Sequence, residues 1–237
     1  MRHLKFLGLL SLVILSLTPV MAQEDDDSIT WLINRTDSMG GFNVTRLNEF
    51  PEIIETQTCT AALFDGINDG MLIDTNPIGN ATEFTIEVFF KPASSLNPAN
   101  KEQRFIHIRN GSNDNRRILI ELRLYPSPPA NGEASQRWAL DTFIKSENSR
   151  CALLDSSINH RVGDWYNVAL VYKDGMMTHY VNNKKELQGK VEYLPIVNGK
   201  ISIGARQDPR NWFKGAIKII RFTKKALEPK DFLSAPL

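Results

Sequence analysis

The amino-acid sequence predicts an all-β protein, a two-sheet antiparallel sandwich, and three observations carry the prediction. Short runs alternate apolar and polar residues with period two. Clusters of Gly, Pro, Asn and Asp separate those runs. Finally, no amphipathic helix longer than about two turns fits the chain, apart from a short one at residues 225–232 near its end.

The elements follow in order. In residues 84–90, Phe84, Ile86, Val88 and Phe90 share one face, and Lys91-Pro92 closes the run. Residues 118–124 alternate more cleanly, with Ile118, Ile120 and Leu122 against Leu119, Glu121 and Arg123. Residues 165–172, 177–181, 200–204 and 216–223 read as further strands. Asp174-Gly175 joins two of them as a hairpin, because a tight turn demands the positive φ angles that Asp and Gly accept.

Composition narrows the function classes. With 42% hydrophobic and 23% charged residues over 237, the chain is neither disordered nor collagen-like. Its 28 Lys+Arg against 27 Asp+Glu leave no uniform field to attract nucleic acid, so a charge-based function must be local. Two distant cysteines exclude a zinc finger and a disulfide-built miniprotein. No Gly-rich phosphate loop and no strained Gly-x-Ser-x-Gly elbow is present.

Residues 1–22 read as a secretory signal: Arg2 and Lys5 precede an uncharged run from Phe6 to Val20, and Val20-Met21-Ala22 offers small-residue cleavage. That run is short against the roughly 20 residues that cross a bilayer. Nothing later is long and apolar enough to span, so the mature chain is expected to carry no transmembrane segment and to be secreted, extracellular or periplasmic. Residues 23–27 form an acidic leader, and 28–237 form one domain. Export makes a disulfide between Cys59 and Cys151 possible, contributing roughly 2–4 kcal/mol.

Four stretches carry a family resemblance. Ala62-Leu63-Phe64-Asp65-Gly66-Ile67-Asn68-Asp69-Gly70 resembles an early strand and acidic turn; 84–92 resembles the strand written FTVEAWVKP. Residues 164–172 through Tyr180-Val181-Asn182-Asn183 resemble W-HVALVYDG…YVNG, and Ile203-Gly204 with Trp212-Phe213-Lys214-Gly215 resembles IG…FKG. In this order they are similar to the laminin-G-like branch of the concanavalin A-like lectin/glucanase jelly rolls. The resemblance implies a jelly-roll sandwich and an extracellular module that binds a polysaccharide, a glycoconjugate or a protein. It also implies a calcium site at Asp65, Asn68 and Asp69. Hard oxygens at this spacing suit Ca²⁺, while Asp and Asn also crowd turns for backbone reasons. Asn183 stands where relatives place a hairpin Gly, and Asn tolerates the same left-handed conformation.

The polar side of the strands is the place for chemistry. With Phe84, Ile106, Ile120 and Leu140 taken as core parity, the opposite parity collects Glu87, Phe89, Phe105, His107, Arg109, Glu121, Arg123, Tyr125, Asp141, Phe143 and Lys145. Aromatic rings stack on sugar faces, and Arg and carboxylates bond hydroxyl or uronate groups. Equally, these charges pair across strands and keep a sheet face soluble and in register. The ligand-binding set is therefore Glu87, His107, Glu121, Arg123, Tyr125, Asp141 and Phe143.

Hydrolysis by paired carboxylates along one strand is not expected, since Arg123 stands where the second carboxylate would be. A uronate lyase is the alternative. Ile120-Glu121-Leu122-Arg123, Phe105-Ile106-His107 and Trp212-Phe213-Lys214-Gly215 resemble segments of jelly-roll alginate-type lyases, in a different order. That resemblance implies Arg123 neutralising the uronate, His107 taking the proton and Tyr125 acting at the leaving oxygen. His160 and His179 have no His or carboxylate partner at ligand spacing in the sequence and read as surface or hydrogen-bonded structural groups rather than metal ligands.

Overall fold

The computed structural model describes residues 27–55, 60–111, 115–130 and 133–233; the expected signal, most of the acidic leader and Cys59 lie outside them. The strands are β1 (Ser28–Leu32), β2 (Ser38–Met39), β3 (Phe42–Arg46), β4 (Glu52–Glu55), β5 (Thr60–Asp65), β6 (Met71–Ile73), β7 (Phe84–Pro92) and β8 (Glu102–Asn110). There follow β9 (Arg116–Ala130), β10 (Glu133–Ser146), β11 (Ser149–Leu153), β12 (His160–Arg161), β13 (Tyr166–Lys173), β14 (Met176–Val181), β15 (Lys184–Lys190), β16 (Gly199–Ile203) and β17 (Lys214–Thr223).

They form two antiparallel sheets. One runs β15-β14-β13-β7-β17-β5-β4, with β1 added on β17; the other runs β11-β10-β9-β8-β16-β6-β3-β2, with β12 added on β10. The alternation in the sequence explains the layering. Phe84, Ile86, Val88 and Phe90 of β7 meet Ile118, Ile120, Leu122 and Leu124 of β9, all buried between the sheets. At their centre Phe90 stacks on Phe105 at 4.6 Å and meets Trp138 edge-on at 5.2 Å. Each such ring contributes about 1.5–3 kcal/mol through burial.

The turns obey backbone preference. Asp174 and Gly175 take φ of 49° and 75°, as the expected hairpin between β13 and β14 requires. Asn182 and Asn183, at 48° and 63°, make the next one. After β16, Gly204 has φ of 88°, and a Cβ there would lie 2.2 Å from the Phe64 ring. Only glycine lets the chain turn away at that point.

Two expectations change. Phe105 does not face outward with His107, because the β8–β9 register shifts between Arg104 and Ile106. The bulge turns both Phe105 and Ile106 into the core and leaves Arg104 on the outer face. On the other edge of β8 at this point, the Arg104 N–H bonds the Asn211 carbonyl at 2.9 Å. The short helix at 225–232 is a single 3₁₀ turn at Pro229–Asp231, and the chain at Phe232 is already extended again. There Phe232 packs edge-on to Tyr180 at 5.1 Å, over Ala169 and Val171, and covers part of the outer face of the first sheet.

Candidate functional site

The outer face of the second sheet carries a row of charges set by register. Arg104 of β8, Glu121 of β9 and Asp141 of β10 stand directly opposite one another. In the adjacent row Glu102 stands opposite Arg123. Cross-strand neighbours are close enough for ion pairs, and the pairs form. Arg104 Nε lies 2.6 Å from Glu121 Oε2, and Arg104 Nη2 donates to Glu102 Oε1 at 3.0 Å. Arg123 Nη2 reaches the same Glu102 oxygen at 2.6 Å, and Arg123 Nε donates to Asp141 Oδ2 at 2.7 Å.

This network forms the floor of a cleft of about 310 Å³, within the range of small-ligand sites. Leu119, Phe143, Ala152 and Leu154 give it an apolar side, and Arg117 and Arg206 also line it. The Arg117 guanidinium sits 5.1 Å from the centre of the Phe143 ring, a cation–π contact.

Burial governs the electrostatics. Glu121 is 3% exposed, and desolvation raises its pKa to about 8; Arg104 opposes that shift, while Asp141 and Glu102 add to it. Desolvation thus works against the negative charge that Arg104 favours on Glu121. Burial also raises Asp141, against the hydrogen bond from Arg123. Although Glu102, Glu121 and Asp141 offer oxygens within 4.8 Å of one another, Arg104 and Arg123 thread between them. Each carboxyl already answers a guanidinium, an arrangement suited to holding a ligand by charge-assisted hydrogen bonds.

Of the residues singled out in the sequence, Glu121, Arg123, Asp141 and Phe143 meet in this cleft. Tyr125 lies two residues beyond Arg123 on β9, half-buried, with its pKa raised by burial. His107 and Glu87 are elsewhere. The His107 ring is fully buried, pushed well below the usual histidine range by desolvation. Its Nδ1 accepts the Gln207 backbone N–H at 3.1 Å, so the segment after Gly204 bonds over it. The proton-taking role implied for His107 by the lyase resemblance has no geometric support.

Glu87 belongs to the first sheet, fully buried on its outer side. Its Oε2 accepts from Arg221 Nε at 2.6 Å, and its Oε1 accepts the Leu233 N–H at 2.6 Å. Phe89, on the same side, stacks on Trp165 at 5.2 Å. These residues lie across the sandwich from the cleft.

Sequence reasoning missed Glu102, Arg104 and Arg206. The doublet Phe105-Ile106 breaks the alternation of β8, but Phe89-Phe90 does the same in β7, whose register with β13 is continuous, so the doublet alone did not reveal the bulge.

Other expectations resolve by local geometry. Asp65 Oδ1 accepts the backbone N–H groups of Ile67 and Asn68 at 2.8 and 3.1 Å, and Asp69 Oδ2 accepts that of Asp65 at 2.8 Å. The oxygen chemistry of Asp65, Asn68 and Asp69 suits calcium, but these two atoms already serve the turn. Cys151 carries a free thiol, and its expected partner Cys59 lies outside the described residues. His160 and His179 are hydrogen-bonded groups: Glu186 lies 2.7 Å from His160 Nε2 and 3.9 Å from His179 Nε2, and Thr142 Oγ1 lies 3.0 Å from His179 Nδ1. Among the described residues no helix is long and apolar enough to cross a membrane.

Comparison with known proteins places the fold. Residues 65–231 match a laminin G model described as the concanavalin A-like lectin/glucanases superfamily. The chain belongs to this superfamily. Solved structures similar to this concanavalin A-like chain include domain 4 of an extracellular arabinanase from Geobacillus stearothermophilus, in complex with arabinotriose. It has TM-score 0.56 and 16% identity, over 85% of this chain and 93% of that one. A heptameric pentraxin from Limulus polyphemus has TM-score 0.53 and 16% identity over 70% and 76%. The binding domain of botulinum neurotoxin serotype D has TM-score 0.58 and 18% identity, over 87% of this chain and 50% of that one. No curated protein matches the chain in sequence.

Proposed function

We propose that the protein is an exported, lectin-like module that binds a polysaccharide or glycoconjugate in the cleft of the second sheet without transforming it. The observation that carries this reading is the cleft itself, where a partly buried arginine–carboxylate network lies beside an apolar wall. Sugars present hydroxyls around their rims and C–H groups on their faces, and such a site answers both. Support also comes from the similar arabinanase domain, which was solved with arabinotriose. Glu102, Glu121 and Asp141 are each held by an arginine, which favours holding a ligand over attacking it.

The test is co-elution of the protein with a panel of neutral and uronate polysaccharides in size-exclusion chromatography. Co-elution with intact polymer that Arg123→Ala abolishes is the expected result. Shortening of a uronate polymer would make the protein a lyase instead, and binding that survives Arg123→Ala would move the site. Export is read from the mass of the protein recovered outside the cytoplasm, expected to begin at Gln23.

A further inference from the structure

We propose that the cleft, taken as the glycan site above, selects saccharides bearing a carboxylate, with Arg104 as the residue that receives the anionic oxygens. The first observation is an incomplete donor set. Arg104 is 7% exposed and lines the cleft; Nη2 donates to Glu102, but Nη1 has no acceptor among the described residues, and Nε, 2.6 Å from Glu121 Oε2, makes no hydrogen bond to it. A buried guanidinium donor is costly without an acceptor, and a planar carboxylate is its best geometric match.

The second observation is charge. Arg104, Arg117, Arg123 and Arg206 line the cleft against Glu102, Glu121 and Asp141. Arg206 is already held by Asp208, whose Oδ1 lies 2.7 Å from its Nε, so the unmet demand centres on Arg104 and Arg123. Glu102 is shared between Arg104 and Arg123, so one carboxylate serves two guanidinium groups there. Burial works against the charge of Glu121 and Asp141, so the guanidinium groups of Arg104 and Arg123 are left short of anionic partners, which an anionic sugar supplies and a neutral one does not. The same arrangement argues against a divalent cation among the three carboxyl groups, since guanidinium nitrogens stand 2.6–3.0 Å from their oxygens.

A third observation sets the kind of ligand. Leu119, Phe143, Ala152 and Leu154 put an apolar surface beside the cationic floor, which a sugar ring can cover and a free inorganic anion cannot.

The experiment is titration calorimetry of the full chain with galacturonate, glucuronate, mannuronate and sialyl oligosaccharides, each paired with its methyl ester, and with a sulfated neutral oligosaccharide. At least one free acid is expected to bind about tenfold or more tightly than its ester. The sulfated probe is expected to bind more weakly than that acid. Arg104→Lys, which keeps the charge and loses the planar fork, is expected to erase most of the acid-over-ester preference. Because the ester comparison needs no variant, misfolding of Arg104→Lys leaves the proposal testable. Equal binding of acids and esters, or a sulfated probe that binds best, would overturn the proposal and leave glycan binding standing. Failure of the entire series, together with the neutral glycans of the panel above, would remove the glycan reading itself.

Discussion

The two outer faces of the sandwich carry the same chemistry and put it to different uses. On the first sheet Glu87 meets Arg221, and on the second Glu121 meets Arg104. Both carboxyl groups are almost wholly buried. Glu87 is closed in by the chain: Leu233 donates to it, and Arg221 Nη2 donates onward to the Asp231 carbonyl at 2.8 Å. The Glu121 pair instead opens into the cleft beside Phe143 and Leu154. A buried arginine–carboxylate pair is therefore a clasp where the polypeptide supplies the remaining partners, and a candidate site where it leaves them to a ligand.

Arg221→Ala makes the largest break in this comparison. It strands Glu87 inside the protein, and loss of one partner of a buried pair costs about 3–5 kcal/mol. A large fall in denaturation midpoint with unchanged glycan affinity of the folded fraction is expected. Lost affinity in fully folded protein would contradict the division between the faces.

Arg123→Ala is the converse. Its side chain is 35% exposed, so stability should fall by less, about 1–3 kcal/mol. Glycan affinity should fall tenfold or more, as read by calorimetry. A stability loss matching that of Arg221→Ala would make the second face a clasp as well.

Glu121 sharpens the comparison through pH. Its folded pKa of about 8 stands above the ordinary 4.5, so the folded state binds its proton more tightly than the unfolded chain does. The stability linked to that proton is complete below about pH 4.5 and is lost as pH rises through 8. Glu121→Gln should flatten this decline, seen as melting temperatures compared at pH 5 and pH 9. His179 acts with opposite sign: burial lowers it from 6.5 to about 4, so its contribution is lost as pH falls through that interval. The Gln variant should leave that acid limb in place.

The smallest effect belongs to Phe143→Ala. It removes the contact with Arg117, about 0.5–1 kcal/mol, and part of the apolar wall. A few-fold weaker glycan affinity with a nearly unchanged melting temperature is expected.

The layers of the fold were legible because alternation is a local property. Phe84 to Phe90 and Ile118 to Leu124 declare their inner faces without reference to any other segment. The site was legible only along single strands. Glu121, Arg123, Asp141 and Phe143 fall on one face because β9 and β10 pair without a shift between them. Glu87 shares their parity and sits on the other sheet, since parity says which side of a strand a residue takes and nothing about which sheet owns the strand. His107 has the right parity too, but what covers it is a segment a hundred residues away, held by Gln207. Arg104 was hidden by one extra residue in β8.

That extra residue divides β8 into two stretches under different obligations. Gln103 faces inward and Arg104 outward, then Phe105 and Ile106 both face inward before His107 resumes the alternation. A saturation scan along β8 should therefore tolerate change in a rhythm that misses a beat at Phe105. Deleting Phe105 would even out that rhythm, with Arg104 and His107 still presented outward and Ile106 still enclosed, and would cost the sandwich one aromatic ring at its centre.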